Sequence, residues 1–146
     1  MRRLLRTLRP TRRAEPDQLG ARTERARRGA AGEDAALAHY RRRGFRLVAR
    51  RLATRQAEID LLVRKRRLFV ALEVKARSHP RPEAAFDPGQ LLRIAEALRQ
   101  LAPKLRPRPV ALRVDAVAVR LGATGEPVEI LPFTGTVQSL GPSRSS

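Results

Sequence analysis

The feature that most constrains the fold is a pair of apolar runs separated by only a few basic residues. The runs are EIDLLVR at 58–64 and LFVALEVK at 68–75. Both alternate large apolar side chains in the way that β-strands require. A two-residue turn at Arg66-Arg67 makes Lys65 face Leu68 and brings the apolar faces of the strands together. The sequence therefore predicts an antiparallel hairpin, in which Ile59, Leu61 and Val63 meet Val74, Leu72 and Val70.

The same register places two carboxylates directly across from each other, Asp60 and Glu73, with Cβ atoms about 5 Å apart. Like charges in this position destabilise a sheet unless a cation lies between them. A basic side chain can be that cation, which makes the hairpin a salt-bridged surface element; the candidates are Lys75, Arg64 and Arg77. The alternative is Mg²⁺ or Mn²⁺, which bind carboxylate oxygens together with water and phosphate.

A third acid favours the metal. The segment 22–43 predicts a helix with one continuous face, formed by Ala26, Ala30, Glu33, Leu37 and Tyr40. Glu33 occupies the middle of that face, where an apolar residue is expected; a solvated Glu on a slightly rotated helix is the alternative. Gly29 and Gly32 allow the helix to approach the sheet closely and bring Glu33 toward Asp60 and Glu73. Three converging acids suit a metal-dependent phosphodiesterase, since they would repel phosphate in a simple nucleic-acid clamp.

The net charge indicates a polyanionic partner. The chain of 146 residues has 32 basic and 14 acidic residues, a formal charge of +18, which favours nucleic acid before an anionic membrane surface. One Tyr, four Phe and no Trp favour duplex or structured nucleic acid over a single-strand stacking platform. The absence of Cys excludes disulfides, zinc–thiolate sites and a cysteine nucleophile. No apolar run has transmembrane or signal-peptide length, so we expect a cytoplasmic protein without a membrane partner.

The remaining pattern predicts an α/β domain with element order α-β-β-β-α-β-β, a mixed sheet flanked by helices. Residues 1–20 are expected to be a basic flexible arm, 21–135 the domain and 136–146 a disordered tail. Gly44 is expected to end the first helix, and Asp87 to cap the second. That second helix should bury a stripe of Leu91, Ile94, Ala95, Leu98 and Leu101. The other predicted strands are Phe45–Val48, 110–121 and a short edge strand at 128–133.

Two stretches of the chain resemble a known family. QAEIDLLVRKRRLFVALEVKAR resembles the signature of the PD-(D/E)xK nucleases, which is an Asp, a spacer and then Glu-x-Lys. Together with GEDAALAHYRRRGF before it, the chain is similar to the YraN family of bacterial proteins, across residues 25–120. That family is regarded as endonuclease-like and resembles archaeal Holliday junction resolvases. The resemblance implies a restriction-endonuclease-like fold and a divalent-metal-dependent endonuclease acting on duplex or branched DNA.

The resemblance also implies roles for individual residues. Asp60 and Glu73 match the ligands of Mg²⁺ (or Mn²⁺), Lys75 matches the catalytic lysine, and Glu33 matches a helical Glu of the resolvase-like branch. Gln90 matches a catalytic-site Gln, although it could instead complete a capping box with Asp87. Asp115 falls where the family has an Asp, although Asp115 could simply pair with an Arg. Arg51 stands where the family usually has Asn.

Phosphate contacts are assigned to arginines near these motifs. They are Arg41, Arg42, Arg43, Arg50, Arg51, Arg64 and Arg77. Two other functions stay open: a nucleic-acid-binding module without catalysis, and a basic structural protein associated with RNA or ribosomes. A homodimer is compatible with all three.

Overall fold

A computed structural model describes residues 19–78 and 86–141, with side chains from residue 26 onward. Most of the predicted basic arm and the last five residues of the predicted tail therefore lie outside the described residues. The elements are α1 (Leu19–Arg41), β1 (Arg46–Ala53), β2 (Glu58–Lys65), β3 (Leu68–Arg77), α2 (Pro88–Leu101), a 3₁₀ turn (Ala102–Lys104), β4 (Ala111–Leu121), β5 (Pro127–Phe133) and β6 (Gln138–Ser139).

The predicted α/β class and element order are confirmed. The sheet order is β1-β2-β3-β4-β5, and β6 pairs with the start of β4. β3 and β4 are parallel over ten residue pairs, whereas the other neighbouring strands are antiparallel. Parallel neighbours need a long crossover, and the segment that contains α2 provides it. The C-terminal end of β3, where the candidate site lies, is therefore beside the C-terminal end of β4.

Each face of the sheet is covered by one helix. α1 packs on a cluster that includes Leu61, Val63, Val70 and Leu72. α2 packs on the opposite face, against a cluster that includes Ile59, Leu62, Phe69 and Ala71. Because both faces of β3 are covered, its near-continuous apolar sequence is what this position requires.

Both helices are bounded as the sequence predicts. Gly44 has φ +91°, and the Phe45 N–H behind it donates to the Tyr40 carbonyl at 3.1 Å, so α1 ends in a left-handed cap. At the start of α2, the Asp87 carboxylate accepts from the Gly89 N–H at 2.9 Å, and Pro88 occupies the first turn.

The predicted hairpin register is confirmed near the turn, but the predicted pairs of Asp60 with Glu73 and of Ile59 with Val74 are not formed. Lys65 pairs with Leu68, and the pairing continues to Leu61 and Leu72. Arg66 takes the left-handed conformation that the turn requires, with φ +54°, although Gly or Asn would adopt it more readily.

Four details differ from the expectation. β1 extends to Ala53, because it continues pairing with β2 beyond a bulge. α2 buries Ala97, whereas Leu91 and Ala95 are only partly buried, since the face against the sheet is rotated slightly. Ile59 packs with the α2-side cluster and not with Leu61 and Val63. Gln138 and Ser139, expected in the tail, form β6, and Leu140 packs against the core.

Neither helix in the described part of the chain is long and apolar enough to cross a membrane.

Candidate functional site

The candidate site begins where β2 and β3 separate. Backbone pairing between the strands stops at Leu61 and Leu72, one residue before Asp60 would meet Glu73. Asp60 Oδ2 instead accepts a hydrogen bond of 2.8 Å from the Val74 backbone N–H. The Asp60 side chain thereby occupies the position of a missing strand partner and lies beside Glu73 and Val74.

An irregularity shared by β1 and β2 turns Asp60 toward the α1 side. In a regular strand Ile59 and Leu61 would share a face, yet they pack in different clusters. On β1, the residue between Arg50 and Leu52 is Arg51, whose φ is +47°. The β1–β2 register is the same on both sides of Arg51, so the irregularity in β1 is matched by one at the facing residue of β2, Asp60. Arg51 and Asp60 therefore form one distorted rung.

The environment of Asp60 favours its protonated form. Burial is the largest cause, and the negative charge of Glu73 is the next; together they raise the pKa of Asp60 to about 7. The hydrogen bond from Val74 opposes this shift, while the charges of Glu33 and Glu58 add to it. A cation bound beside this carboxyl group would oppose the shift and favour its charged form.

Glu73 lies on the other face of β3, on the α2 side, and is only 5% exposed. Its Oε1 pairs with the Lys75 ammonium at 3.2 Å. Burial raises the pKa of Glu73, and the nearby Lys75 counteracts that rise. The salt-bridge alternative of the sequence is thus present for this acid, with the lysine of its own strand as the partner.

Glu33 reaches the site from α1 and is 8% exposed. Arg51 Nε lies 3.5 Å from its Oε2, and burial raises the pKa of Glu33 despite this arginine. Gly32 is what allows the helix to come so close, because a Cβ there would lie 2.8 Å from the Ala76 Cβ. Gly29 has no such role, since a Cβ at that position would meet nothing within 4 Å.

The predicted residues line two adjoining recesses on either side of β3. The first, about 550 Å³, is lined by Glu33, Asp60, Lys75 and Arg77 among others. The second, about 200 Å³, is lined by Glu73, Lys75, Gln90 and Arg93 among others. The sequence predicted a single concavity. The distorted rung explains the difference, because it turns Asp60 toward α1 while Glu73 keeps the regular alternation of β3. Lys75 lines both recesses.

Gln90 contributes to the second recess, and its amide oxygen accepts two hydrogen bonds from Arg93, at 3.1 and 2.8 Å. The capping-box alternative would direct this oxygen to the Asp87 N–H, and the contacts with Arg93 replace that arrangement.

Asp115 is fully buried away from the recesses and does pair with an arginine. It accepts two hydrogen bonds from Arg113, at 2.8 and 2.9 Å, one from the Tyr40 hydroxyl at 2.6 Å, and one from the Gly135 N–H. Burial raises the pKa of Tyr40, and its hydrogen bond to Asp115 adds to this rise. Asp115 is therefore a structural acid that ties α1 and residue 135 to β4.

Glu58 is an acid whose place in the site the sequence analysis did not identify. Its charge raises the pKa of Glu33, of Asp60 and of Glu73, so it lies within electrostatic reach of all three. Its position two residues before Asp60, on the same strand, was the signal that could have identified it.

The seven predicted phosphate-contacting arginines fall into two groups. Arg50, Arg51 and Arg77 lie near the acids; Arg50 pairs with Asp34 at 2.8 Å, and Arg77 lines the first recess. The others lie toward the hairpin turn: Arg64 pairs with Phe69, roughly 20 Å along β3 from Lys75. Arg41, Arg42 and Arg43 end α1, next to Gly44, which lies close to Lys65.

Oxygen ligands for a metal are available at this site, but they are not assembled as a cluster. Within the described residues, no three His, Cys, Asp or Glu side chains are grouped so that they could hold an ion. The carboxylates of Asp60 and Glu73 are the neighbouring pair, and Glu33 is engaged by Arg51.

Comparison with known proteins places these residues inside a recognised sequence family. The family model described as Uncharacterised protein family UPF0102 matches residues 32–119, which include Glu33, Asp60, Glu73, Lys75 and Gln90. A UPF0102 protein of Methylorubrum populi is 38% identical over 109 residues, covering 73% of this chain and 87% of the relative. A UPF0102 protein of Syntrophotalea carbinolica is 31% identical over 107 residues, covering 71% of this chain and 85% of the relative.

Proposed function

The chain belongs to the YraN family, UPF0102, and on that premise we propose that it binds nucleic acid and hydrolyses phosphodiester bonds in duplex or branched DNA with Mg²⁺ or Mn²⁺. The observation that carries the proposal is the position of Asp60 beside Glu73 where β2 leaves β3. Burial and the charge of Glu73 both raise the cost of ionising Asp60, an arrangement that costs stability, so a bound cation accounts for it better than packing does.

The donor set fits a magnesium ion. Mg²⁺ is usually held in proteins by one or two carboxylates, and water and substrate phosphates supply its other ligands. Asp60 and Glu73 would hold it from the two sides of β3, where the recesses adjoin, because the Asp60 carboxylate is bonded to Val74 and within electrostatic reach of Glu73. Glu33 would support the ion or its water from the α1 side. A divalent ion bound there would lower the pKa of a water molecule and neutralise charge on the phosphate.

Lys75 is the cation that the proposal assigns to the scissile phosphate. Its position at both recesses gives it access to a phosphate on either side of β3. A phosphate oxygen would compete with Glu73 for its ammonium, and the bound ammonium would then stabilise negative charge that develops during attack.

Arg51 has a matching role on the α1 side. Its guanidinium is half exposed and pairs with Glu33 at 3.5 Å, a long and weak contact. Phosphate would draw this arginine away from Glu33, just as it would draw Lys75 from Glu73. Substrate phosphate thus frees the acids at the same time as it occupies the cations, and we expect metal and nucleic acid to bind more tightly together than separately.

A cleavage panel tests the proposal. Linear duplex, flap, four-way junction and single-stranded DNA are incubated with the protein in Mg²⁺, in Mn²⁺ or in chelator. We expect metal-dependent cleavage of duplex or branched substrates, and its loss in Glu73→Gln. Glu129→Gln is the matched control, because this exposed acid on β5 pairs with Arg120 and lines neither recess.

One observation favours the second candidate, a nucleic-acid-binding module without catalysis. Four of the seven predicted phosphate-contacting arginines lie at the end of the sheet away from the acids. Such a module requires no metal, so it predicts binding that is the same in chelator and in Mg²⁺, with no cleavage anywhere in the panel.

A further inference from the structure

A further cavity, separate from the two recesses, lies at the opposite end of β3 from the acids. It measures about 440 Å³ and is lined by three arginines from different segments. Arg67 comes from the β2–β3 turn, Arg99 from the last turn of α2, and Arg108 from the segment that leads into β4. Strand β3 begins at Leu68, beside this cavity, and continues past Lys75. The cavity and the acidic site are therefore roughly 20–25 Å apart.

Backbone contacts hold the walls of this cavity in place. The Arg67 Nε donates to the Arg108 carbonyl at 2.6 Å, and the Val110 N–H donates to the Arg67 carbonyl at 3.0 Å. The Leu140 N–H then donates to the Val110 carbonyl at 2.8 Å. The hairpin turn, the segment before β4 and the chain after β6 are thereby joined, and Arg67 is fixed at the cavity without losing its charge.

The positive charge at the cavity is only partly neutralised. Arg99 pairs with Glu96 at 2.8 Å, whereas neither Arg67 nor Arg108 forms an ion pair within the described residues. Three guanidinium groups therefore face one carboxylate. Part of the wall is apolar, formed by Ala102, Pro103, Pro109 and Leu140. Like charges gathered around such a recess favour an anion as its occupant.

We propose that this cavity is a second phosphate-binding site, independent of the acidic site and of any cleavage there. Guanidinium groups match the geometry of phosphate oxygens and form charge-assisted hydrogen bonds with them. The volume lies within the range of small-ligand clefts, so the phosphate can belong to a nucleic-acid backbone or to a small phosphorylated ligand. Both sources share the chemistry that the arginines recognise.

Calorimetric titration of the full chain with pyrophosphate tests the proposal. We expect saturable binding that Arg108→Gln weakens about tenfold, the equivalent of one charge-assisted hydrogen bond. Arg108→Lys, which keeps the charge, should recover part of this affinity. The matched control is Arg46→Gln, because Arg46 is exposed near the same end of the sheet, on β1, and does not line the cavity. Equal thermal melting of the variants shows that they are folded.

The comparison of Arg108→Gln with Arg46→Gln distinguishes a specific phosphate site from general attraction of anions to a basic surface. An equal loss in Arg46→Gln and Arg108→Gln, or no saturable binding of pyrophosphate, would overturn the proposal. Competition with a short DNA duplex then identifies the source of the phosphate. Displacement of pyrophosphate by the duplex, with Arg108→Gln also weakening duplex binding, supports a nucleic-acid backbone. Binding of pyrophosphate that the duplex leaves unchanged supports a small phosphorylated ligand.

Discussion

The Asp60 carboxylate accepts a hydrogen bond of 2.8 Å from the backbone N–H of Val74, one residue past Glu73 on the neighbouring strand. This contact fixes one acid against the strand that carries the other. Burial raises the pKa of both carboxyl groups, and the bond from Val74 opposes that rise at Asp60. The burial that brings the two acids together therefore also destabilises the metal-free protein.

Asp60→Asn should stabilise the metal-free protein in a pH-dependent way. The pKa of Asp60 is about 7 in the folded chain and 3.8 in its ordinary state, so the folded protein binds more protons between these values. Its stability consequently falls as the pH rises from about 4 to about 7. Asn keeps an acceptor for Val74 but has no charge. The difference in melting temperature between variant and wild type should grow from pH 5 to pH 8; a constant difference would contradict the raised pKa.

Glu73→Gln and Lys75→Gln should separate binding from cleavage. Removing the negative charge of Glu73 frees Lys75 for phosphate, so metal-free DNA binding should stay equal or become about two- to fivefold tighter. Cleavage should fall more than about 100-fold, since a metal ligand is lost. Lys75→Gln should lose cleavage as well, but with slightly weaker binding. Binding by fluorescence anisotropy and cleavage by gel measure both effects, and effects of the same sign on binding would contradict the assignment.

Gly32→Ala and Gly29→Ala should change stability in opposite directions. A Cβ at Gly32 would lie 2.8 Å from the Ala76 Cβ, so α1 must move away from β3 at a cost of about 1–3 kcal/mol. A Cβ at Gly29 meets nothing within 4 Å, and Ala is the better helix former by up to about 1 kcal/mol. Urea unfolding of the two variants measures this. Equal stabilisation of both would show that the close approach of α1 does not limit the packing.

Asp115→Asn should destabilise the fold without acting on the site directly. The change leaves the partly buried Arg113 without its carboxylate and weakens the bonds from Tyr40 and Gly135, at a cost of about 2–4 kcal/mol. Asp34→Asn is the control, because its pair with Arg50 is exposed and should contribute less than about 1 kcal/mol. A loss of cleavage by Asp115→Asn with unchanged urea unfolding would instead assign this acid to the chemistry.

The hairpin could be predicted from the sequence because two independent constraints agree on it. The length of the turn and the alignment of apolar faces both select the register that pairs Lys65 with Leu68. The distorted rung could not be predicted in the same way. It depends on the left-handed backbone of Arg51, a conformation that Gly or Asn would have signalled and Arg does not. The division of the acids between two recesses follows from that single conformation.

β6 and the rotation of α2 were missed for a different reason. Two residues of strand carry too little pattern to distinguish Gln138 and Ser139 from a polar tail. On the buried face of α2, Ala97 replaces the predicted Ala95, and Leu91 is only partly buried. Alanine adds little to a hydrophobic pattern, so the pattern does not distinguish Ala95 from Ala97. Packing against the sheet decides such positions, and single-sequence periodicity does not contain that information.

The hydrogen bond to Asp60 also makes the Val74 amide a built-in spectroscopic probe. A backbone amide proton is sensitive to the charge of the carboxylate that accepts it, so its NMR frequency should follow the titration of Asp60 without any label. The amides of β3 beyond Leu72 that face β2 have no strand partner there, whereas the parallel ladder with β4 continues to Arg77. One resonance in the spectrum of the unmodified protein can therefore report when a cation enters the space between the two acids.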